Sequence, residues 1–259
     1  MRTNRLKEKI SAGLPVYGLF VSIPHPIIVE MIGYAEYDFV IIDREHASTS
    51  METVENLIRA AELMEVTPLV RVSGVNRAEI LQVLDCGAQG IVIPHAESRA
   101  QLEEAVRYTY YAPIGQRSLN SGRPGAFAKY SLQDYIAKAN EEVIIVPMIE
   151  SAAGIDNCEA IVSSPHVSFV LEGAADLSQS IGVPWDTDHP EVQRQLVKLR
   201  ETAQRVNVPF AVVSRHPQEH RESAAQGARI FVLGDDRNTA FRAYRQKRDD
   251  YAAMTKEEL

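Results

Sequence analysis

The chain has 259 residues, 45% hydrophobic and 24% charged, with a formal net charge of −8. That length suits one large domain or two small ones with a sizeable core, and the acidic balance without a long basic run counts against a nucleic-acid partner. The apolar run Leu14 to Ile28 contains Ser22, Pro24, His25 and Pro26, which excludes it as a membrane span.

Along the chain, Tyr17 to Ile23 reads as the first strand, and Pro24 and Pro26 open a helix. The N-terminal stretch before it, Arg2 to Lys7, lacks a following signal-type apolar core. Tyr37 to Asp43 is the second strand, and its apolar run Phe39 to Ile42 leads straight into Asp43, Arg44, Glu45 and His46. Ser50 caps a helix whose apolar stripe is Thr53, Val54, Leu57, Ile58 and Ala61. Thr67 to Val72 is the third strand. A helix with Ile80, Leu81 and Leu84 stops near Gly87, and Gly90 to His95 is the fourth strand. A helix from Arg99 to Tyr108 precedes a long irregular stretch, Pro113 to Tyr130, carrying Arg117 and Arg123. Loops of that length inside a domain are usually functional or mobile; this one either closes over a site or forms a subunit contact.

A short helix, Leu132 to Asn140, leads to the fifth strand, Val143 to Glu150, and a helix through Ile155 and Ile161 follows. Val167 to Leu171 is the sixth strand, ending in Glu172 to Asp176. A helix from Val192 to Arg205 leads to the seventh, Pro209 to Val213; Ile230 to Leu233 is the eighth, and a polar helix finishes the chain. Eight apolar strands alternating with helices, with no composition shift, fit a parallel sheet closed into a (β/α)8 TIM barrel, an α/β fold, as one domain over residues 1–259. No GxGxxG or P-loop pattern supports an open nucleotide-binding sheet instead. The two cysteines, Cys86 and Cys158, match no metal spacing and read as reduced, half-buried residues of a cytoplasmic protein.

In such a barrel the C-terminal strand ends share one mouth. They bring there Ser22, Asp43 to His46, Arg71, His95, Glu150, Glu172, Asp176, Ser214, Arg215, Asp235 and Asp236. Arg71 stands out because it interrupts an apolar strand, where a guanidinium needs a carboxylate or phosphate partner. Glu150 and Asp176 can share a hard cation such as Mg2+, or form a hydrogen-bonded pair. His46 is a candidate acid/base, oriented by Asp43 or another acid. The small residues Gly173, Ala174 and Ala175 let backbone N–H groups approach an anion, or simply make a tight turn. No Lys ends a strand to act as a Schiff-base nucleophile. Together these features suggest an enzyme that makes or breaks a C–C bond beside a 2-oxo acid.

On Asp43-x-Glu45-His46, Val70-Arg71-Val72, Leu84-Asp85-x-Gly87-Ala88, Gly115-Gln116-Arg117, Ile149-Glu150 and Gly173-x-Ala175-Asp176-Leu177-Ser178, the chain resembles the 4-hydroxy-2-oxoheptanedioate aldolases, class II enzymes of the phosphoenolpyruvate/pyruvate barrel superfamily. The resemblance covers about Leu14 to Arg237. It implies that His46 is the acid/base and that Arg71 binds the oxo acid. Glu150 and Asp176 would ligate Mg2+. Asp43 and Asp85 would support the His, Asp85 across a subunit interface. It further implies homo-oligomers, dimer to hexamer, with the terminal helix exchanged between subunits. Those aldolases usually read Ile-Gly-Pro-Ala-Asp where this chain has Glu172-Gly173-Ala174-Ala175-Asp176. With Phe20 to Pro24 and Leu177 to Ser180, that variant is similar to the siderophore-cluster citrate synthases of the same fold, which join acetyl-CoA to oxaloacetate and are regarded as metal-independent.

The first expectation is therefore a citrate synthase with no required cofactor and acetyl-CoA as substrate. Arg71, Gly173, Ala174 and Ala175 would hold oxaloacetate, with polar contacts from Glu150 and Asp176. The alternative is an Mg2+-dependent class II pyruvate aldolase using the same residues. A catalytically idle binding barrel is the third, and the intact set argues against it. CoA contacts from Arg117, Arg123 or a neighbouring subunit stay open. No membrane or nucleic-acid partner is expected.

Overall fold

Along the second strand Phe39 and Ile41 face one way and Val40 and Ile42 the other, and this period of two organises the whole molecule. The computed structural model describes residues 2–257. Eight parallel strands close in chain order into a barrel: β1 (Val16–Val21), β2 (Phe39–Asp43), β3 (Thr67–Arg71), β4 (Gly90–Ile93), β5 (Ile144–Ile149), β6 (Val170–Glu172), β7 (Phe210–Val213) and β8 (Ile230–Asp235). The inward set, with Phe39, Ile41, Leu69, Val92, Val146 and Leu171, fills the interior. The outward set packs beneath the helices in a second apolar layer. Fully burying one such side chain contributes about 1.5–3 kcal/mol. Gly18 faces inward, and a Cβ there would overlap the Phe39 ring, so the glycine makes room for the aromatic.

The expected elements form with small shifts. Ser50 caps the helix Met51–Leu63, its Oγ accepting the Thr53 N–H at 3.1 Å. The expected helices before β5 and β7 run over Leu132–Glu142 and Pro190–Arg205. The expected helix after β5 is two short ones, Ala152–Asp156 and Cys158–Val162. Strand β6 begins at Val170; Val167 makes only an isolated bridge to Ile145. Cys158 is buried and Cys86 half-buried, both free thiols.

Three α-helices among the described residues were not expected. Arg5–Ser11 closes the barrel floor with the fully buried Leu6, anchored by Asn4, whose Nδ2 donates to the Glu142 and Gln89 carbonyls at 2.9 and 3.2 Å. Ala174–Ser180 starts directly after β6, and Pro217–Ala225 follows β7.

The stretch Pro113 to Tyr130 does not cover the mouth. It joins a helix to the next strand, and helices run back against the strands, so it leaves from the N-terminal face of the barrel. It is held against the outer helices: Arg117 Nη2 donates to Asp85 at 2.8 Å, and Arg123 Nη1 to Glu62 at 2.8 Å. The final helix, Asp236–Glu257, is long and polar, with Phe241, Tyr244, Tyr251 and Met254 exposed. Among the described residues no helix is long and apolar enough to cross a membrane.

Candidate active site

At the C-terminal strand ends the inward set turns from apolar to charged. Asp43 follows Phe39 and Ile41 at the same period, and Arg71 follows Leu69. The β2–β3 register pairs the two residues directly. Their side chains are buried, and Arg71 donates to Asp43 through Nε (3.0 Å to Oδ1) and Nη2 (2.8 Å to Oδ2). Burial alone would raise the Asp43 pKa. Hydrogen bonds and charge from Arg71, with the backbone N–H groups of His46 and Glu45, outweigh it and hold the carboxyl below its ordinary value. The guanidinium also lies over the Phe20 ring, 4.7 Å from its centre.

Asp43 therefore does not orient the His46 imidazole, contrary to expectation. Its carboxylate is spent on Arg71 and on the backbone, accepting the His46 N–H at 3.3 Å. Glu45 is the acid nearest the imidazole, beyond hydrogen-bond distance. Its Oε2 lies 3.1 Å from Arg71 Nη1 and 3.9 Å from His46 Nε2, and its Oε1 lies 3.5 Å from His95 Nε2. The His46 side chain is 57% exposed and forms part of the cavity wall.

Glu150 sits two residues beyond Met148 on β5 and so continues the inward set. It is almost completely buried. Its Oε1 accepts the His95 N–H at 2.8 Å, and His95 reaches that geometry with a left-handed backbone, φ 45°. Its Oε2 is buried without a hydrogen-bond partner. Burial pushes the Glu150 pKa up to about 7; the His95 N–H and imidazole oppose the rise, and Asp176 and Glu45 add to it. A Cβ at Gly173 would lie 2.5 Å from both Cβ and Oε2 of Glu150, so only glycine fits beside this carboxyl. Ala174 and Ala175 open the helix Ala174–Ser180, whose first N–H groups have no intrahelical acceptor. Asp176 lies in that first turn, half-buried.

Beside them lies a cavity of about 410 Å³, lined by His46, Arg71, Gly173, Ala174, Ala175 and Asp176 together with Phe20, Met148, Gln179, Trp185, Val213 and Arg215. Among the described residues no group of three or more His, Cys, Asp or Glu side chains is placed to hold a metal. Mg2+ however needs only one or two carboxylates, with water and substrate completing its shell. The orphaned Glu150 Oε2 and the repulsion between Glu150 and Asp176 both fit such a cation.

A model of the HpcH/HpaI aldolase/citrate lyase family matches residues 16–243. The chain belongs to this family. It is an enzyme of carbon–carbon bond chemistry, like its relatives. A 2-keto-3-deoxy-L-rhamnonate aldolase of Klebsiella pneumoniae is 30% identical over 234 residues, 90% of this chain and 88% of the relative. A hydroxypyruvate/pyruvate aldolase of Paraburkholderia phytofirmans is 31% identical over 252 residues, 94% and 96% of the two chains. The crystal structure of citrate synthase SbnG is 36% identical and matches with a TM-score of 0.89, covering 98% of this chain and 99% of that one.

In this HpcH/HpaI barrel several other charged strand ends have structural duties. Asp236 accepts the N–H groups of Ser22 and Ile23 at 2.9 to 3.1 Å, which ties the end of β1 to the final helix. Asp235 caps that helix through Asn238. Arg44 pairs with Glu79 at 2.8 Å. Glu172 points outward, because it follows the inward Leu171 by one residue. Asp85 ends the helix Arg77–Asp85, where it binds Arg117 and Asn120, and does not line the cavity. Within one subunit it gives His46 no support. Arg117 and Arg123, considered for CoA contacts, are already paired with acids.

Glu45, His95 and Arg215 were expected at the mouth, but the sequence assigned them no role in the site. Each carried a signal, since each lies within a few residues of a strand's C-terminal end.

Proposed function

We propose that this enzyme condenses acetyl-CoA with oxaloacetate to citrate, for assembly of a carboxylate siderophore, without a required metal. The observation that carries the reading is Glu150: a buried carboxyl with one unpartnered oxygen packed against the glycine that lines the cavity, its pKa raised by burial to about 7. A neutral acid there can donate to an oxyanion as it forms, the role a metal would otherwise fill. The likeness to citrate synthase SbnG over nearly the whole chain supports the same choice.

Arg71 keeps N–H groups beyond those given to Asp43 and Glu45, and with the Ala174 and Ala175 amides these hold the 1-carboxylate and oxo oxygen of oxaloacetate. His46, with the Glu45 carboxylate 3.9 Å away, removes a proton from the acetyl methyl group. The resulting enolate carbon attacks the oxo carbon, and the new alkoxide takes the Glu150 proton. Water then hydrolyses the thioester, so that acetyl-CoA, oxaloacetate and water give citrate, CoA and a proton. The partners are thus small molecules in the cytoplasm and a second copy of this chain, which meets the exposed apolar side chains of the final helix.

The second reading is a class II pyruvate aldolase, favoured by the Glu150–Asp176 pair with its orphaned oxygen and by the aldolase relatives. Mg2+ on that pair would stabilise the pyruvate enolate as a Lewis acid. One assay separates the two. Purified protein in EDTA receives oxaloacetate and acetyl-CoA while CoA release is followed. Release that survives EDTA supports the synthase. Absence of release, with metal-dependent pyruvate formation from a 4-hydroxy-2-oxo acid, establishes the aldolase.

A further inference from the structure

The cavity carries a second guanidinium. Arg215 follows the end of β7, and Arg71 ends β3. Three strands lie between β3 and β7 in either direction around a closed ring of eight, so the two cations stand on opposite walls of the mouth. They are differently committed. Arg71 is matched by two carboxylates, Asp43 and Glu45. Arg215 has one direct partner, Glu219, reached through Nη1 at 3.0 Å, with the buried Glu172 within electrostatic reach. Among the described residues its Nε and Nη2 make no hydrogen bond, and its side chain is 29% exposed.

The loop that presents Arg215 is fixed by acids. The β6–β7 ladder pairs only Val170 with Phe210 and Leu171 with Ala211. The next free donor, the Val213 N–H, is taken by the Glu172 carboxylate at 3.1 Å. The Ser214 N–H goes to the Val232 carbonyl at 2.9 Å, and the Arg215 N–H to Glu219 Oε2 at 2.7 Å. Glu172, one of the two residues that depart from the aldolase pattern, thus anchors the strand end from which Arg215 reaches the cavity. A backbone held at three successive N–H groups presents a pre-organised guanidinium, and such a fork matches a carboxylate.

We infer that Arg215 is a specificity residue that binds the distal carboxylate of a dicarboxylic 2-oxo acid, selecting it over a monocarboxylic one. This rests on the proposed reading only in placing a 2-oxo acid against Arg71. With the 1-carboxylate and oxo group there, a chain one carboxylate longer than pyruvate extends toward the opposite wall. Glu172 and Glu219 are positioning residues.

The test is calorimetric titration of the wild type, Arg215→Gln and Arg215→Lys with oxaloacetate and with pyruvate. Trp185, the chain's one tryptophan, lines the cavity and gives a second readout by fluorescence. Arg215→Gln weakens oxaloacetate binding at least tenfold and changes pyruvate binding less than twofold, with an unchanged unfolding midpoint. Arg215→Lys recovers part of the loss. In turnover, KM for oxaloacetate rises more than kcat falls. Equal weakening of both acids, or of neither, overturns the inference. If the wild type releases no CoA yet its preference for oxaloacetate disappears in Arg215→Gln, the synthase reading fails and Arg215 stands. If CoA is released and Arg215→Gln leaves KM unchanged, the reverse holds.

Discussion

Asp43 and Arg71 are register partners on adjacent strands, joined by two parallel hydrogen bonds and both buried. Removing one partner of such a pair strands the other charge in a poorly solvated place. Asp43→Ala is expected to lose about 3–5 kcal/mol in urea unfolding. The Asp43 carboxyl titrates below its ordinary value in the folded state, so its contribution is present above the unfolded pKa and fades as pH falls through the folded one. Asp43→Asn should therefore cost stability at pH 7 and progressively less as the pH falls below the ordinary carboxylate range; a cost independent of pH would show that charge is not the cause.

Glu150 and Glu172 carry the opposite sign. Burial raises each to about 7, so the folded protein binds more protons than the unfolded chain between about pH 4.5 and 7. Stability then falls as pH rises through that window and stays lower above it. Glu172→Gln keeps an acceptor for the Val213 N–H and removes the buried charge. Its unfolding midpoint should match the wild type at pH 5 and exceed it at pH 8. A midpoint below the wild type at pH 8 would show that the charged form is stabilised by Arg215 and Arg200 more than burial disfavours it.

Gly173→Ala places a methyl group 2.5 Å from Cβ of Glu150, which is tethered too close to the backbone to swing away. Overpacking of this kind costs about 1–3 kcal/mol. It should also displace the Glu150 carboxyl, so turnover falls further than stability does. Steady-state kinetics beside thermal unfolding would separate the two effects.

His46→Ala should leave the fold intact and lower kcat by about 10²–10⁴-fold, the usual contribution of a positioned base. Glu45→Gln should lower kcat by a smaller factor, because the imidazole remains but loses its anionic neighbour at 3.9 Å. A near-wild-type rate in His46→Ala would assign the proton transfer to another group, with His95 the next candidate by position.

On the final helix Phe241 and Tyr244 are three residues apart, as are Tyr251 and Met254, and all four are exposed. Tyr244→Asp should reduce the mass measured by light scattering toward that of one chain. A wild-type mass of one chain, or a mass unchanged by the substitution, would refute a subunit contact through this helix.

The barrel was legible because eight buried strands between amphipathic helices leave few other ways to bury that much apolar surface. His46, Arg71, Glu150 and Asp176 were legible because a charge that interrupts or ends an apolar strand is costly without a purpose. The floor helix Arg5–Ser11 was not, since one buried leucine in seven residues gives no periodic signal. The place of the stretch Pro113 to Tyr130 followed from chain order, as a helix-to-strand connection belongs to the face opposite the mouth, yet its composition alone suggested a lid.

The sequence by itself determined the fold, the end of the barrel that holds the chemistry, and the residue types available there, because strand periodicity and strand ends are properties of the chain in one dimension. Only the tertiary structure decided who partners whom. The strand register gave Asp43 to Arg71 and set Glu45 among Arg71, His95 and His46. A single step in the period-two alternation turned Glu172 outward beneath β7. Ring closure set Arg215 across from Arg71. Each outcome depends on distances between strands remote in sequence, which no local pattern encodes.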